Sequence, residues 1–296
     1  MQPPNDVTLP FISYGMFKPG ELGFLRIKPF VKSIEPLLVP KQLRVRDGLP
    51  ILDWDRPGKT VAAAIEFIYK DSLAAYQAIC NLEPEDQYRW EIFEQDGLAG
   101  NILVGKNAQR GSVPVDSGHE DWQGKKDPLF TAALSVIEEA LENNERFEWD
   151  LKPMMRLQMA YLLLWSSIER YATIRYCLAN KPTAKVRSVG EEYAFATALK
   201  EVVSETRSVF SAVDPSDKYT LNPENPRGSI YYYYQLRSNA IHAGKGAPRD
   251  HEVIAKSLSE LLQIFKVVLI SAFAESSWPE PDDHKSHRIE LYGKSP

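Results

Sequence analysis

The stretch YYYYQLRSNAIHAG, residues 231–244, places Arg237 and His242 five positions apart, directly after a run of tyrosines. Each residue of an ideal helix advances by about 100°, so these two side chains would point about 140° apart. They can share a face only where the helix ends, and Gly244 predicts such an end within two residues of the histidine. Ser238 and Asn239, four and three positions before His242, would flank it directly. The pattern therefore predicts a polar group at the rim of a helical domain.

Arginine and histidine together suffice for metal-free cleavage of RNA. A histidine titrates near neutral pH and can move the proton of an attacking 2′-hydroxyl. The planar fork of an arginine holds phosphate oxygens and stabilises the charge that develops on them. DNA would resist because it lacks the 2′-hydroxyl. An R-x4-H spacing taken alone also fits a pair of surface or capping residues, so both interpretations stay open.

The sequence around this stretch predicts a five-helix domain. Apolar residues recur at helical spacing in five segments, one of which, at 153–180, is apolar enough to be largely buried. The predicted helices are 128–145, 153–180, 190–213, 228–244 and 249–276. The basic cluster KPTAKVR at 181–187 is interpreted as a solvated surface, and residues 278–296 as a polar tail.

The N-terminal hundred residues have a different pattern, with short apolar segments and frequent Gly and Pro. Four segments are typical of strands, and one between them has helical spacing; the strands are 9–15, 61–69, 88–94 and 98–105, and the helix is 71–83. We therefore predict an α+β protein of two domains, at 1–106 and 128–277. Residues 107–127 contain Gly, Ser, Pro and charge without a period and are predicted to be a linker.

Composition excludes several classes of protein. The chain has 296 residues, a net charge of −5 and only two cysteines, so neither a disulfide framework nor a Cys-based metal site is expected. Its five histidines show no H-x-x-x-H pairing, and we expect neither a metal nor a cofactor. The apolar runs are too short to span a bilayer and no signal peptide is visible, which predicts a cytoplasmic protein without a membrane partner.

The second domain resembles the HEPN superfamily, and in particular its ApeA-like branch. The likeness covers residues 128–275 and rests on YYQLRSNAIHAG and on LLLWSSIERYATIRY, a segment similar to the central helix of that family. The resemblance implies an all-α bundle, a homodimer, and a metal-independent endoribonuclease of a bacterial defence or toxin–antitoxin system, with RNA and an antitoxin protein as candidate partners. It also implies that Arg237 binds phosphate, that His242 transfers a proton and that Glu169 faces the arginine.

Other residues of this motif have less definite roles. Ser238 occupies the slot in which the family more often has Asn, Asp or His, and Asn239 follows it, so either is a candidate helper. Tyr234 is the best candidate among the four tyrosines for stacking on a base, although packing is the alternative interpretation of the whole run. Lys245 would draw RNA toward His242.

The first domain resembles the gamma-glutamylcyclotransferase-like family, also called AIG2-like. The likeness spans residues 10–106 and rests on FISYGMFKPG, RVRDGLPIL and NLEPEDQYRWEIFE. It implies a small mixed β-barrel with helices, in which Tyr14, Gly15, Met16 and Phe17 form a substrate-binding turn. Glu83 would be the acid/base that moves a proton as a γ-glutamyl amine attacks its own side-chain amide. Pro84 stands where the family has glycine.

Three functions follow from these patterns. The first is an endoribonuclease effector whose N-terminal domain binds or senses a small-molecule ligand. The second is a γ-glutamyl-type cyclotransferase, or another amide-cleaving enzyme, whose helical domain only forms dimers. The third is a non-enzymatic interaction scaffold.

Overall fold

The computed structural model describes residues 1–115, 127–143, 151–177, 182–242 and 248–278. We refer to residues 1–115 as the N-terminal part and to the described residues from 127 onward as the C-terminal part. The strands are β1 (Phe11–Ser13), β2 (Val31–Val39), β3 (Gln42–Arg46), β4 (Leu49–Asp53), β5 (Thr60–Phe67), β6 (Tyr88–Gln95), β7 (Leu98–Gly105), β8 (Val113–Pro114), β9 (Arg207–Phe210) and β10 (Lys218–Leu221). The helices are α1 (Phe24–Ile27), α2 (Ser72–Cys80), α3 (Pro128–Glu142), α4 (Lys152–Tyr176), α5 (Pro182–Gly190), α6 (Tyr193–Val202), α7 (Pro226–His242) and α8 (Pro248–Glu275).

The N-terminal part is built on an open sheet of five strands, in the order β2-β5-β1-β7-β6. Strand β1 lies at its centre, antiparallel to β5 and parallel to β7. A separate three-stranded sheet has the order β4-β3-β8. The predicted β-barrel is therefore wrong, because β2 and β6 remain as edges and the sheet does not close on itself.

Two tight hairpins set the register of these sheets. The turns Asp47-Gly48 and Asp96-Gly97 join β3 to β4 and β6 to β7, and all four residues have positive φ angles. Two-residue turns with both φ positive match the right-handed twist of the strands they join, and Asp-Gly is a favoured pair there. A Cβ on Gly48 would also lie 2.5 Å from a methyl carbon of Leu129 in α3, so this turn packs against the C-terminal part.

The C-terminal part packs its helices around α4, whose buried face includes Leu157, Leu164, Trp165 and Ile168. It is not all-α, because β9 and β10 form an antiparallel hairpin. The helix predicted at 190–213 ends at Val202, and β9 follows it. Arg207 of β9 explains the change, since it makes an ion pair with the buried Glu260 of α8 and donates to Tyr232 Oη at 3.0 Å. A further helix, α5, occupies most of the segment that we interpreted as a solvated basic surface.

The predicted linker is partly structured. Strand β8 pairs with β3, so the N-terminal fold extends beyond the predicted boundary at 106, and Asp127 already caps α3 through a hydrogen bond from Leu129 N at 3.0 Å. Residues 116–126 lie outside the described residues.

Direct contacts join the two parts. Lys28 Nζ donates to the carbonyl oxygens of Glu275 and Ser277 at 2.6 and 3.0 Å. Trp278, the first residue of the predicted polar tail, packs edge-on against Phe24 with 6.1 Å between ring centroids. The remainder of that predicted tail, 279–296, is outside the described residues. No helix in the described ranges is long and apolar enough to cross a membrane.

Candidate functional site

A cavity of about 360 Å³ lies where the two parts of the chain meet. From the N-terminal part it is lined by residues 14–17, 49–50, 82–84, Tyr88 and Leu103. From the C-terminal part it is lined by Arg170, Thr173 and Ile174 of α4. The structure thus brings the predicted turn at 14–17 and the predicted acid/base Glu83 together around one cavity.

The turn at 14–17 follows directly from the end of β1, the central strand. The chain reverses there, and Lys18 N donates to Gly15 O at 3.0 Å. Within the described residues, the N–H groups of Gly15, Met16 and Phe17 make no hydrogen bond, so they remain as donors beside the cavity. The next glycine, Gly20, does not add to this set, because its N–H donates to Ser276 O at 2.9 Å.

Gly15 is needed for close packing of this turn. A Cβ at position 15 would lie 2.9 Å from Cγ of Pro50, which lines the same cavity. Any larger residue must therefore displace the turn or the cavity wall.

Glu83 lies just beyond the C-terminal end of α2, where its backbone N–H donates to Ile79 O at 3.1 Å. Its side chain is half-buried, lines the cavity, and has no hydrogen-bond or ion-pair partner among the described residues. Desolvation by the surrounding protein raises its pKa to about 7. A carboxyl with this pKa can both accept and donate a proton near neutral pH.

Two buried tyrosines, Tyr14 and Tyr88, stand beside this carboxyl. The Tyr88 hydroxyl donates to Pro50 O at 2.9 Å, and the Tyr14 hydroxyl accepts from Leu52 N at 3.4 Å. Burial raises the pKa of each phenol, and the negative charge of Glu83 raises both further. Both therefore stay neutral hydroxyls anchored to β4. Tyr88 falls within the segment NLEPEDQYRWEIFE, but sequence reasoning gave it no role.

Sequence reasoning also missed Arg170. Its Nε and Nη2 atoms donate to one carboxylate oxygen of Asp127, Oδ2, at 3.2 and 2.7 Å. Asp127 is buried, and its other oxygen caps α3. The sequence does not distinguish Arg170 from Arg156 and Arg175, which lie on the same helix, and nothing in the pattern indicated the cavity that it lines.

The Arg237 region forms a second cluster on α7. Arg237 Nη2 lies 3.9 Å from Glu169 Oε1 of α4, so the structure places the glutamate next to the arginine as the HEPN resemblance implied. The guanidinium also lies over the Tyr234 ring, 5.5 Å from its centroid, and that ring packs edge-on against Trp165 at 5.3 Å. Nε of Arg237 is buried and has no hydrogen-bond partner among the described residues.

The other described side chains of this motif on α7 are buried or half-buried. Tyr232 and Tyr233 are fully buried whereas Tyr231 and Tyr234 are half-buried, as the packing interpretation requires. Asn239 accepts hydrogen bonds from Ala212 N and Gln235 Nε2 and donates to Phe210 O, so its amide holds the end of β9. This engagement argues against Asn239 as the helper residue.

Ser238 is half-buried on α7. His242 is the last residue of α7, but its side chain and all of Lys245 lie outside the described residues.

In the described ranges, no group of three or more His, Cys, Asp or Glu side chains is arranged to hold a metal ion. Comparisons of this chain with protein-family models, with curated proteins and with solved structures find no match.

Proposed function

We propose that this protein is an acid–base enzyme that cleaves γ-glutamyl amides, with Glu83 as the proton-transferring group. The observation that carries the proposal is the unpaired Glu83 carboxyl in the wall of a cavity large enough for a small ligand. Its raised pKa, about 7, suits a group that must first take a proton and then return it.

The reaction needs no water. The α-amine of the substrate attacks the carbonyl carbon of its own side-chain amide, and a C–N bond forms to close a five-membered ring. Glu83 takes the proton from the attacking nitrogen and delivers it to the leaving amine as the original amide C–N bond breaks. The products are 5-oxoproline and the free amine.

The turn at 14–17 supports this chemistry. Negative charge develops on the carbonyl oxygen as the amine attacks, and unpaired backbone N–H groups stabilise such an oxygen. Gly15, Met16 and Phe17 offer such groups beside the cavity.

The test is product formation by purified protein. γ-Glutamyl amino acids are incubated with wild type, and 5-oxoproline and the released amino acid are measured by mass spectrometry. We expect equal amounts of both products, lost in Glu83→Gln and retained in Glu85→Gln, since Glu85 is an exposed neighbour with 72% of its side chain accessible. Ligand binding without product from wild type would instead favour a sensing role for the cavity.

A second candidate function is metal-independent RNA cleavage, supported by the proximity of Glu169 to Arg237. A carboxylate at this distance attracts the guanidinium and favours one orientation of it, as a phosphate-binding arginine requires. The Arg237 side chain keeps 29% of its surface exposed, enough for a ligand to reach it.

RNA integrity and growth on expression test this candidate. Arg237→Ala and His242→Ala should each abolish RNA loss. Arg227→Ala should not, because Arg227 lies on the same helix with 72% of its side chain exposed. Intact RNA in cells that express wild type would contradict this second candidate function.

A further inference from the structure

The cavity contains one acidic and one basic side chain among the described residues that line it, Glu83 and Arg170. They come from opposite parts of the chain. The remaining lining residues are neutral, and the hydroxyl of Thr173, the other polar residue from α4, already donates to Glu169 O at 2.7 Å. A ligand that carries one negative group and one nitrogen that loses or gains a proton would match this pair.

The Arg170 guanidinium is held in place and still has donors to offer. Asp127 Oδ2 accepts from its Nε and Nη2, and the guanidinium carbon lies 5.8 Å from the centroid of the Phe130 ring. Nη1 has no hydrogen-bond partner among the described residues. Because a guanidinium presents five N–H donors and no acceptor, its remaining donors suit a carboxylate.

We infer that Arg170 is a substrate-binding residue that recognises the α-carboxylate of an amino-acid ligand, so that the C-terminal part completes a site whose proton-transferring residue lies in the N-terminal part. This inference rests on the proposed function for the identity of the ligand as a γ-glutamyl compound. It restricts the substrates to γ-glutamyl amides with a free α-carboxylate. It also gives the fusion of the two parts a chemical reason.

The α-carboxylate passes unchanged into the product, so product analogues serve as binding probes. Titration calorimetry with 5-oxoproline and with 5-oxoprolinamide compares a carboxylate with a neutral amide of the same shape. For wild type we expect the carboxylate to bind about ten- to a hundredfold more tightly, the range for a hydrogen bond to a charged group. Arg170→Gln should lose this preference.

Arg156→Gln provides the matched control, because Arg156 lies on the same helix and is exposed. It should keep the full preference. Circular dichroism tests whether Arg170→Gln is folded. If that variant does not fold, Arg170→Lys, which keeps the positive charge, replaces it and should keep only part of the preference. Equal affinity of wild type for both ligands, or binding of neither, overturns the inference.

Cleavage of γ-glutamyl amides, measured on the same preparations of wild type and variants, separates this inference from the proposed function. A carboxylate preference that depends on Arg170, without formation of 5-oxoproline from γ-glutamyl amides, supports the binding role and rejects the enzyme. Turnover without any carboxylate preference rejects the role of Arg170 and leaves the enzyme.

Discussion

Arg170 of α4 and Asp127, the capping residue of α3, are joined by two hydrogen bonds to a single carboxylate oxygen. The other oxygen of Asp127 accepts the N–H of Leu129. One buried carboxylate therefore fixes the start of one helix and orients the charged side chain that another helix presents to the cavity.

Removal of Asp127 should reduce stability. In Asp127→Ala the cap of α3 is lost and Arg170 loses its partner, so we expect the free energy of unfolding to fall by about 2–4 kcal/mol. Urea denaturation measures the change. Asp217→Ala, at an exposed position, should stay within about 0.5 kcal/mol of wild type, and an equal loss in both variants would contradict the assigned role of Asp127.

The pH dependence of catalysis should report Glu83. As a base it must be ionised to accept the proton from the attacking amine, and its pKa is about 7. The rate, as kcat/KM, should fall about tenfold for each pH unit below this value. A pH–rate profile from about pH 4 to 9 tests this. A rate that stays constant from about pH 7 down to about pH 5 would show that the proton is moved by a different or differently placed group.

The β9–β10 hairpin should depend on its buried ion pair. Arg207 pairs with Glu260, whose side chain is 10% exposed, so Glu260→Ala leaves a largely buried charge without its partner. We expect a loss of about 3–5 kcal/mol in the free energy of unfolding. The exposed ion pair of Lys200 and Glu224 serves as the control. Glu224→Ala should reduce the free energy of unfolding by less than about 1 kcal/mol.

Sequence reasoning succeeded where local pattern determines structure. The segment LAGNILVG at 98–105 coincides with β7, and the helix predicted at 71–83 contains α2. It missed β2 and β3, because only isolated residues of these strands are buried and Lys, Arg and Pro interrupt the apolar pattern. It also missed β4, which is mostly buried but is only five residues long and contains a proline. It also extended a helix through 207–210, where a tertiary ion pair with Glu260 holds a strand.

At the cavity too, local motifs were predicted from the sequence whereas a tertiary contact was not. Residues 14–17 and Glu83 were predicted from short motifs, and the fold brings them together. Arg170 could not be predicted, since its place in the cavity wall depends on how the C-terminal part packs against the N-terminal part. Local periodicity contains no information on such packing.

The last prediction concerns Glu21, a buried carboxyl outside the cavity. Its side-chain oxygens have no hydrogen-bond partner among the described residues, and burial raises its pKa to about 8; the charge of Lys18 opposes this rise and that of Asp127 adds to it. In the unfolded chain the same carboxyl has its ordinary pKa of 4.5, so between pH 4.5 and 8 unfolding releases a proton. The contribution of Glu21 to the free energy of unfolding should therefore decrease as pH rises through this window.

Glu21→Gln tests this, because the amide cannot ionise. Its free energy of unfolding should equal that of wild type near pH 4 and exceed it by about 2–4 kcal/mol at pH 9. Urea titrations at a series of pH values measure the difference, with the exposed Glu201→Gln as control. A difference between Glu21→Gln and wild type that stays constant from pH 4 to 9 would mean that Glu21 ionises alike in the folded and unfolded chains.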